Sequence, residues 1–330
     1  MSQKKIIAKH FQALEKPATA AVVMAAHLAD NFTWHGPQPF QSCHSFQQWL
    51  SSFWQPLTNA FSDLRRETHM LVGGDSHGKA DNSFDGRYWV GATGYYCATF
   101  SREWLGLPPT GQPVRLRWGD FFRFEDNLIV ESYTLIDIVD FLQQIGRNPL
   151  PPSRGIDFVY PPPTAIEGVQ LGDSAAAKTD LSMNLIRDFL FDGLNNFDQQ
   201  SLSSMGVDEF FHSNVKWYGP GGIGACLSLA EFQQYHQQPW LEAYPDRLVQ
   251  DLDSLFADGD FVASSAWAGV KAKHLGRYLN VEATDNNVTF NGMDFWLRRD
   301  DKFVENWVFV DMLDLFQQFG VDLLQNAREI

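Results

Sequence analysis

The sequence is short of positive charge, of cysteine and of any long apolar run. Its 25 Lys and Arg stand against 40 Asp and Glu, a formal net charge of −15. Phosphate recognition needs clustered basic side chains, so nucleic acid is not expected as a partner. The three cysteines, Cys43, Cys97 and Cys226, have neither metal-like nor disulfide-like spacing. Free structural thiols in a reducing compartment are expected. No stretch approaches the length of a membrane span, so no membrane partner is expected either. The run Ala18–Ala29 reads as the small-residue face of a helix and not as a leader peptide, which points to the cytoplasm. The nine histidines are scattered without ligand spacing, and the glycine-rich 219–224 does not match a dinucleotide fingerprint. No metal and no cofactor is expected.

What the sequence does have is aromatic side chains, 27 Phe and 11 Trp, and a repeat. A chain of 330 residues suits two domains of ordinary size. RWGDFFRFEDNLIVESYTLIDIVDFLQQIG (117–146) returns as NGMDFWLRRDDKFVENWVFVDMLDLFQQFG (291–320), with ten of thirty positions identical. Upstream, WHGP at 34–37 answers WYGP at 217–220, an offset of 183 where the hairpins are offset by 174. The first copy therefore carries about ten extra residues, placed in the turn-rich loop Gly73–Gly86. Each copy begins with helical segments and ends in alternating strands, the order of an α+β domain. The expected domains are residues 1–146 and 181–330, related by internal duplication. Between them, 147–180 holds a cluster of prolines and reads as an extended linker.

A three-residue turn at Glu125-Asp126-Asn127 would pair Asp120 with Ser132 and Trp118 with Thr134. One hairpin face then shows Trp118, Asp120, Phe122, Val130, Ser132 and Thr134. The other mixes Arg117, Arg123 and Glu131 with Phe121 and Tyr133 and is expected to be the wetter. In the second copy Asp294 lies beside Trp296, Asn306 and Val308. A carboxylate on an apolar face is costly unless paired or functional, and desolvation raises its pKa into a useful range. Asp120 and Asp294 are therefore the candidate proton-transfer groups, with hydrogen bonding to backbone or to an indole as the alternative role. Asp137 and Asp311, each followed three residues later by another Asp, read as helix caps.

The order helix, W-x-G-P, helix, strands, with PPTG at 108–111 and the closing FRFEDNLIVESY segment, resembles the SnoaL-like polyketide cyclases. These belong to the NTF2-like, ketosteroid-isomerase-like superfamily. The resemblance covers both copies and implies two cone-shaped domains, each a curved antiparallel sheet wrapped by helices around a deep apolar pocket. It also implies a His-x-Gly element, kept as His274-Leu275-Gly276, where the first copy has Phe100. In cyclase members the acid/base aspartate follows the Glu-x-aromatic of the last strand. Here Thr134 and Val308 stand at those places, and neither exchanges protons with a carbon acid at neutral pH. Related epoxide hydrolases of this fold set an Arg and an Asp two apart on one strand, whereas Arg117 and Asp120 are three apart and face opposite ways.

Three readings follow. The first is acid–base chemistry (isomerisation, cyclisation or dehydration) on a small hydrophobic substrate, with Asp120 or Asp294 as base. Trp34 and His35 are its candidate donors in the first copy, and Trp217, Tyr218 and His274 in the second. The second reading is a ligand-binding or structural module without chemistry. The third, compatible with both, is an intrachain pseudo-dimer, with a homodimer of chains left open. Because the second copy keeps His274 and an Asp294–Asn306 pair, any chemistry is expected there. The longer loop of the first copy is expected to cover its own pocket mouth.

Overall fold

The computed structural model describes residues 2–15, 23–199 and 201–330. Residues 18–22 of the Ala18–Ala29 run lie outside the described residues, and from Leu28 the chain is already strand. Strands β1 (Leu28–His35), β2 (Arg65–Asp75), β3 (Tyr88–Thr99), β4 (Pro113–Glu125) and β5 (Leu128–Ile136) form one curved sheet. Its order is β1-β5-β4-β3-β2, antiparallel except where β1 runs parallel to β5. The second sheet uses β6 (Phe211–Tyr218), β7 (Ala225–Cys226), β8 (Leu248–Val249), β9 (Ser254–Asp258), β10 (Phe261–Lys273), β11 (Asn287–Arg299) and β12 (Lys302–Val310). Its order is β7-β6-β12-β11-β10-β8, with β9 also on β10 and β6 parallel to β12. Among the described residues no helix is long and apolar enough to cross a membrane.

The hairpins are equivalent in both copies, but their register differs from the expected one. Asp126 and Asn127 both take positive φ (47° and 63°), so the turn has two residues, as Asp and Asn allow. Asp120 consequently pairs with Thr134 and Phe122 with Ser132, and a bulge between Arg123 and Phe124 absorbs the irregularity. In the second copy Asp294 pairs with Val308 and Trp296 with Asn306, with the bulge between Leu297 and Arg298. The slip from the expected pairing is two residues. An even slip keeps every side chain on its face, so Asp120 and Asp294 stay on the side covered by helices.

The opposite face is not wet. The two sheets lie back to back, with the ring of Phe121 at 5.2 Å from Phe295 and Tyr133 at 4.7 Å from Trp267. A Cβ on Gly119 would come within 3.0 Å of the Met293 sulfur, so the sheets touch at backbone level. Arg117 is 2% exposed and donates to the carbonyls of Gly219 (2.8 Å) and Val308 (2.9 Å) of the other copy. Charges on this face mark an interface with internal partners, and a single sequence does not separate that from a solvated face.

Asp137 and Asp311 cap helices Ile138–Gln144 and Met312–Gln318 through Asp140 N and Asp314 N. Their second oxygens reach across. Asp137 accepts from Gly221 N (2.9 Å) and Asp311 accepts from Gln38 N (2.8 Å). Gln38 and Gly221 each follow a W-x-G-P motif, so that motif presents the N–H which the other copy's cap receives. The exchange is that of an isologous interface. Burial pushes the Asp311 carboxyl up to about 7. At pH 6, Asp311→Ala is expected to lower stability by about 2 kcal/mol, losing a cap and stranding the Gln38 N–H. The loss should shrink as pH rises from about 4 through 7, where the wild-type fold holds a proton that the unfolded chain releases, and stay constant above that. Urea midpoints equal to wild type at pH 6 would show the cap to be idle.

Two further segments join the copies. Residues 76–87 separate β2 from β3, whereas only Gly259 and Asp260 separate β9 from β10, which locates the extra residues of the first copy. That loop lies against the second domain and not over the first pocket: His77 N donates to Leu255 O (2.7 Å) and Lys79 pairs with Asp251 (3.0 Å). The proline-rich connector is pinned, contrary to the plain linker expected. Tyr160 is buried, its N–H donates to the Tyr95 hydroxyl (2.8 Å), and Trp307 Nε1 donates to Pro161 O (3.1 Å).

Candidate functional site

In the first domain the apolar face of β4 and β5 meets helix Gln3–Leu14 and the helical segment 46–60, leaving a cavity of only about 30 Å³. Asp120 is fully satisfied there. Arg66, from β2, donates from Nη1 to Asp120 Oδ2 (3.1 Å) and from Nη2 to the Tyr96 hydroxyl. Thr134 Oγ1 donates to Asp120 Oδ1 (2.7 Å) and receives the Trp34 indole N–H (2.9 Å). The guanidinium lies over Phe11 (3.9 Å) and Trp118 (4.1 Å). Burial raises the Asp120 pKa against the lowering by Arg66 and Thr134. His10, on the same cavity, is held near 3 by burial and then by Arg66, so it is neutral.

The second domain is open at the corresponding place, with a cavity of about 190 Å³. Strand register shows why. Arg66 pairs with Tyr96 across β2 and β3, whereas Val249 pairs with Val270 across β8 and β10. Both valines line the large cavity, together with Gly292 where the first copy has Trp118 and Val308 where it has Thr134. Four substitutions thus remove a guanidinium, a phenol, an indole and a hydroxyl. Asp294 remains, its Oδ1 accepting from Asn306 Nδ2 (3.2 Å), with no ion pair among the described residues. Burial drives its pKa up to about 7, against smaller lowering by Asn306 and by Arg117.

Each middle helix contains one widened π-helical turn, Leu50–Trp54 and Phe232–Gln237, a feature that re-aims side chains at functional sites. By the 183 offset Phe53 and Trp54 become His236 and Gln237. His236 stacks on Trp217 (4.2 Å), and burial with Arg247 keeps it neutral, near 3. Gln237 is buried with neither amide atom partnered, and the Trp296 Nε1 is likewise unpartnered. Arg247 lines the cavity over Trp240 (5.0 Å), and burial lowers its pKa to about 10.

The structure brings Trp34, Phe122, Ser132 and Thr134 around Asp120, with Trp118 packed under Arg66. It brings Trp217, Trp296, Asn306 and Val308 around Asp294. It separates three candidates. His35 lies on the other face, stacked on Tyr133 (4.5 Å) and 3.2 Å from Glu131. Tyr218 packs in the interface against Trp307 (5.3 Å). His274 is wholly buried but lines neither cavity; it stacks on Phe319 (4.1 Å) and Nδ1 meets Thr284 Oγ1 (3.1 Å). It fills the place of Phe100, which stacks on Phe61 where His274 packs at a tilt on Tyr244. The sequence signals missed were Arg66, His236 and Gln237. Each is visible only by asking what replaces a residue that the other copy lacks.

Among the described residues no His, Cys, Asp or Glu cluster suited to a metal ion is present. A SnoaL-like domain profile matches residues 7–132, and a SnoaL-like polyketide cyclase profile matches residues 190–319. No curated protein matches the chain. Among solved structures, a SnoaL-like polyketide cyclase candidate from Jannaschia sp. CCS1 is 14% identical over 46% of this chain and 99% of its own, TM-score 0.40. The polyketide cyclase candidate IdmH from Streptomyces antibioticus is 23% identical over 44% and 99%, TM-score 0.36. An NTF2-like protein from Burkholderia thailandensis is 18% identical over 44% and 98%, TM-score 0.34. With a profile on each half and the same hairpin in both, the chain belongs to the SnoaL-like family, as two SnoaL-like domains in tandem.

Proposed function

We propose that the second domain binds a small apolar carbonyl compound and moves a proton on it, with Asp294 as general base, while the first domain serves as a closed structural partner. In this reading the units are 1–146 and 181–330, joined by 147–180, and no cofactor takes part. The observation that carries it is a carboxylate without a cation on the wall of an aromatic cavity, beside polar groups that lack partners. A pKa near 7 suits a base at neutral pH. Asp294 takes the proton from the carbon beside the carbonyl, the C–H electrons pass to the carbonyl oxygen, and the Trp296 and Gln237 N–H groups are the candidate donors to that enolate. His274, packed in the core, has no part in it. The test is deuterium uptake by 2-tetralone in D2O, followed by NMR. Exchange should rise with pH through about 7, fall at least ~100-fold in Asp294→Asn, and survive in Asp120→Asn and His274→Phe. Exchange indifferent to Asp294→Asn overturns the proposal. Binding without exchange supports the alternative, a non-catalytic binding module, which the Thr134 and Val308 at the family's aspartate positions favour.

A further inference from the structure

The first domain contains a template for what the second domain binds. In the first, the space beside the carboxylate is occupied by part of the chain itself: the flat Arg66 guanidinium, which donates to Asp120 and to Tyr96 and lies in the corner made by the edge-to-face rings of Phe11 and Trp118. In the second, the carboxylate is kept and the occupant is gone, because Val249 and Val270 stand where Arg66 and Tyr96 stand. We propose that the second cavity takes a planar organic cation, an aromatic amidine or amine, which docks on Asp294 as Arg66 docks on Asp120. The proposal rests on the reading of this cavity as the binding site and goes beyond it: the cation is a second class of ligand, which competes with the carbonyl substrate for Asp294.

Three observations support it. The walls are aromatic, with Trp217, Trp240, Phe290 and Trp296 lining the cavity, and such faces attract cations. Among the described residues Asp294 has no ion-pair partner in the cavity: Arg117, which lowers its pKa, donates to carbonyls across the sheet interface, and Arg247, which lines the cavity, is held by Leu194 O (3.0 Å) and Met205 Sδ (2.7 Å). Gln237 replaces Trp54, whose ring lies 6.1 Å from Tyr96, so its unpartnered amide belongs beside the vacated space, where its oxygen can accept a second N–H from the cation. The size is consistent, since an apolar cavity of roughly 150 Å³ holds one benzene ring. The net charge of −15 also favours approach of a cation.

The test uses the full chain at pH 8, where Asp294 is ionised, with calorimetric titration of benzamidine, its neutral isostere benzamide, and benzoate. Benzamidine should bind roughly ten-fold or more tightly than benzamide, and benzoate should not bind. Asp294→Asn should erase the preference, and Val249→Arg, which supplies the cation internally, should abolish binding of benzamidine. Should Val249→Arg fail to fold, Asp294→Asn decides alone. Equal binding of benzamidine and benzamide, or none of benzamidine while Asp294-dependent exchange of 2-tetralone persists, overturns the inference and leaves the cavity reading standing. Loss of both signals overturns the cavity reading itself.

Discussion

Arg66→Met is expected to destabilise the protein by about 3–5 kcal/mol at pH 7, the cost of leaving a buried carboxylate without its partner. Arg66 and Asp120 side chains are only 5% and 7% exposed, so water does not take over the lost ion pair. Methionine keeps an unbranched apolar stem against Phe11 and Trp118, which isolates the charge from the packing. Adding Asp120→Asn should recover most of the loss, because Thr134 still donates to the amide oxygen and no ion remains to be solvated. Urea unfolding of the two single variants and the double closes the cycle. A double variant as unstable as Arg66→Met would mean that the guanidinium acts through its aromatic contacts and not through the carboxylate.

Asp294→Asn should have the opposite sign, with a dependence on pH. The folded-state pKa of Asp294 is about 7 against 3.8 for the free group. Between these values the folded protein binds a proton that the unfolded chain releases. Wild-type stability from this group is therefore present below pH 4 and lost as pH rises through 7. Asparagine does not titrate. The variant should match wild type near pH 4 and exceed it by about 2–4 kcal/mol at pH 8, at 1.36 kcal/mol per pKa unit. Asp140 and Asp311, also raised to about 7 by burial, shift both proteins alike and cancel in the difference. A stability difference that does not change from pH 4 to 8 would show that Asp294 ionises freely, and the proton-transfer proposal would lose its base.

Much of this architecture was legible because the chain states it twice. Shared residues such as Asp120/Asp294 and Glu131/Glu305 fixed the repeat, and strand parity survived a register error because the error was even. The wet and dry faces were not legible: Arg117 and Glu305 have internal partners supplied by segments distant in sequence. Nor was Arg66, since the partner of Asp120 comes from another strand and its counterpart is valine. His274 misled for a related reason. A histidine in a family motif and a histidine filling a phenylalanine's core position are the same letter.

The reciprocal caps give the closed domain a second significance. An emptied core volume costs roughly 24 cal/mol per Å³, so the step from about 30 to about 190 Å³ carries a penalty of a few kcal/mol. A symmetric dimer of open copies would bear that twice, and its shared helix ends would weaken together. In the fused chain one copy fills that space with its own arginine and packs its sheet against that of the hollow copy. The tandem arrangement thus separates endurance from receptivity: one half fills its core with its own side chains, and the other keeps a cavity.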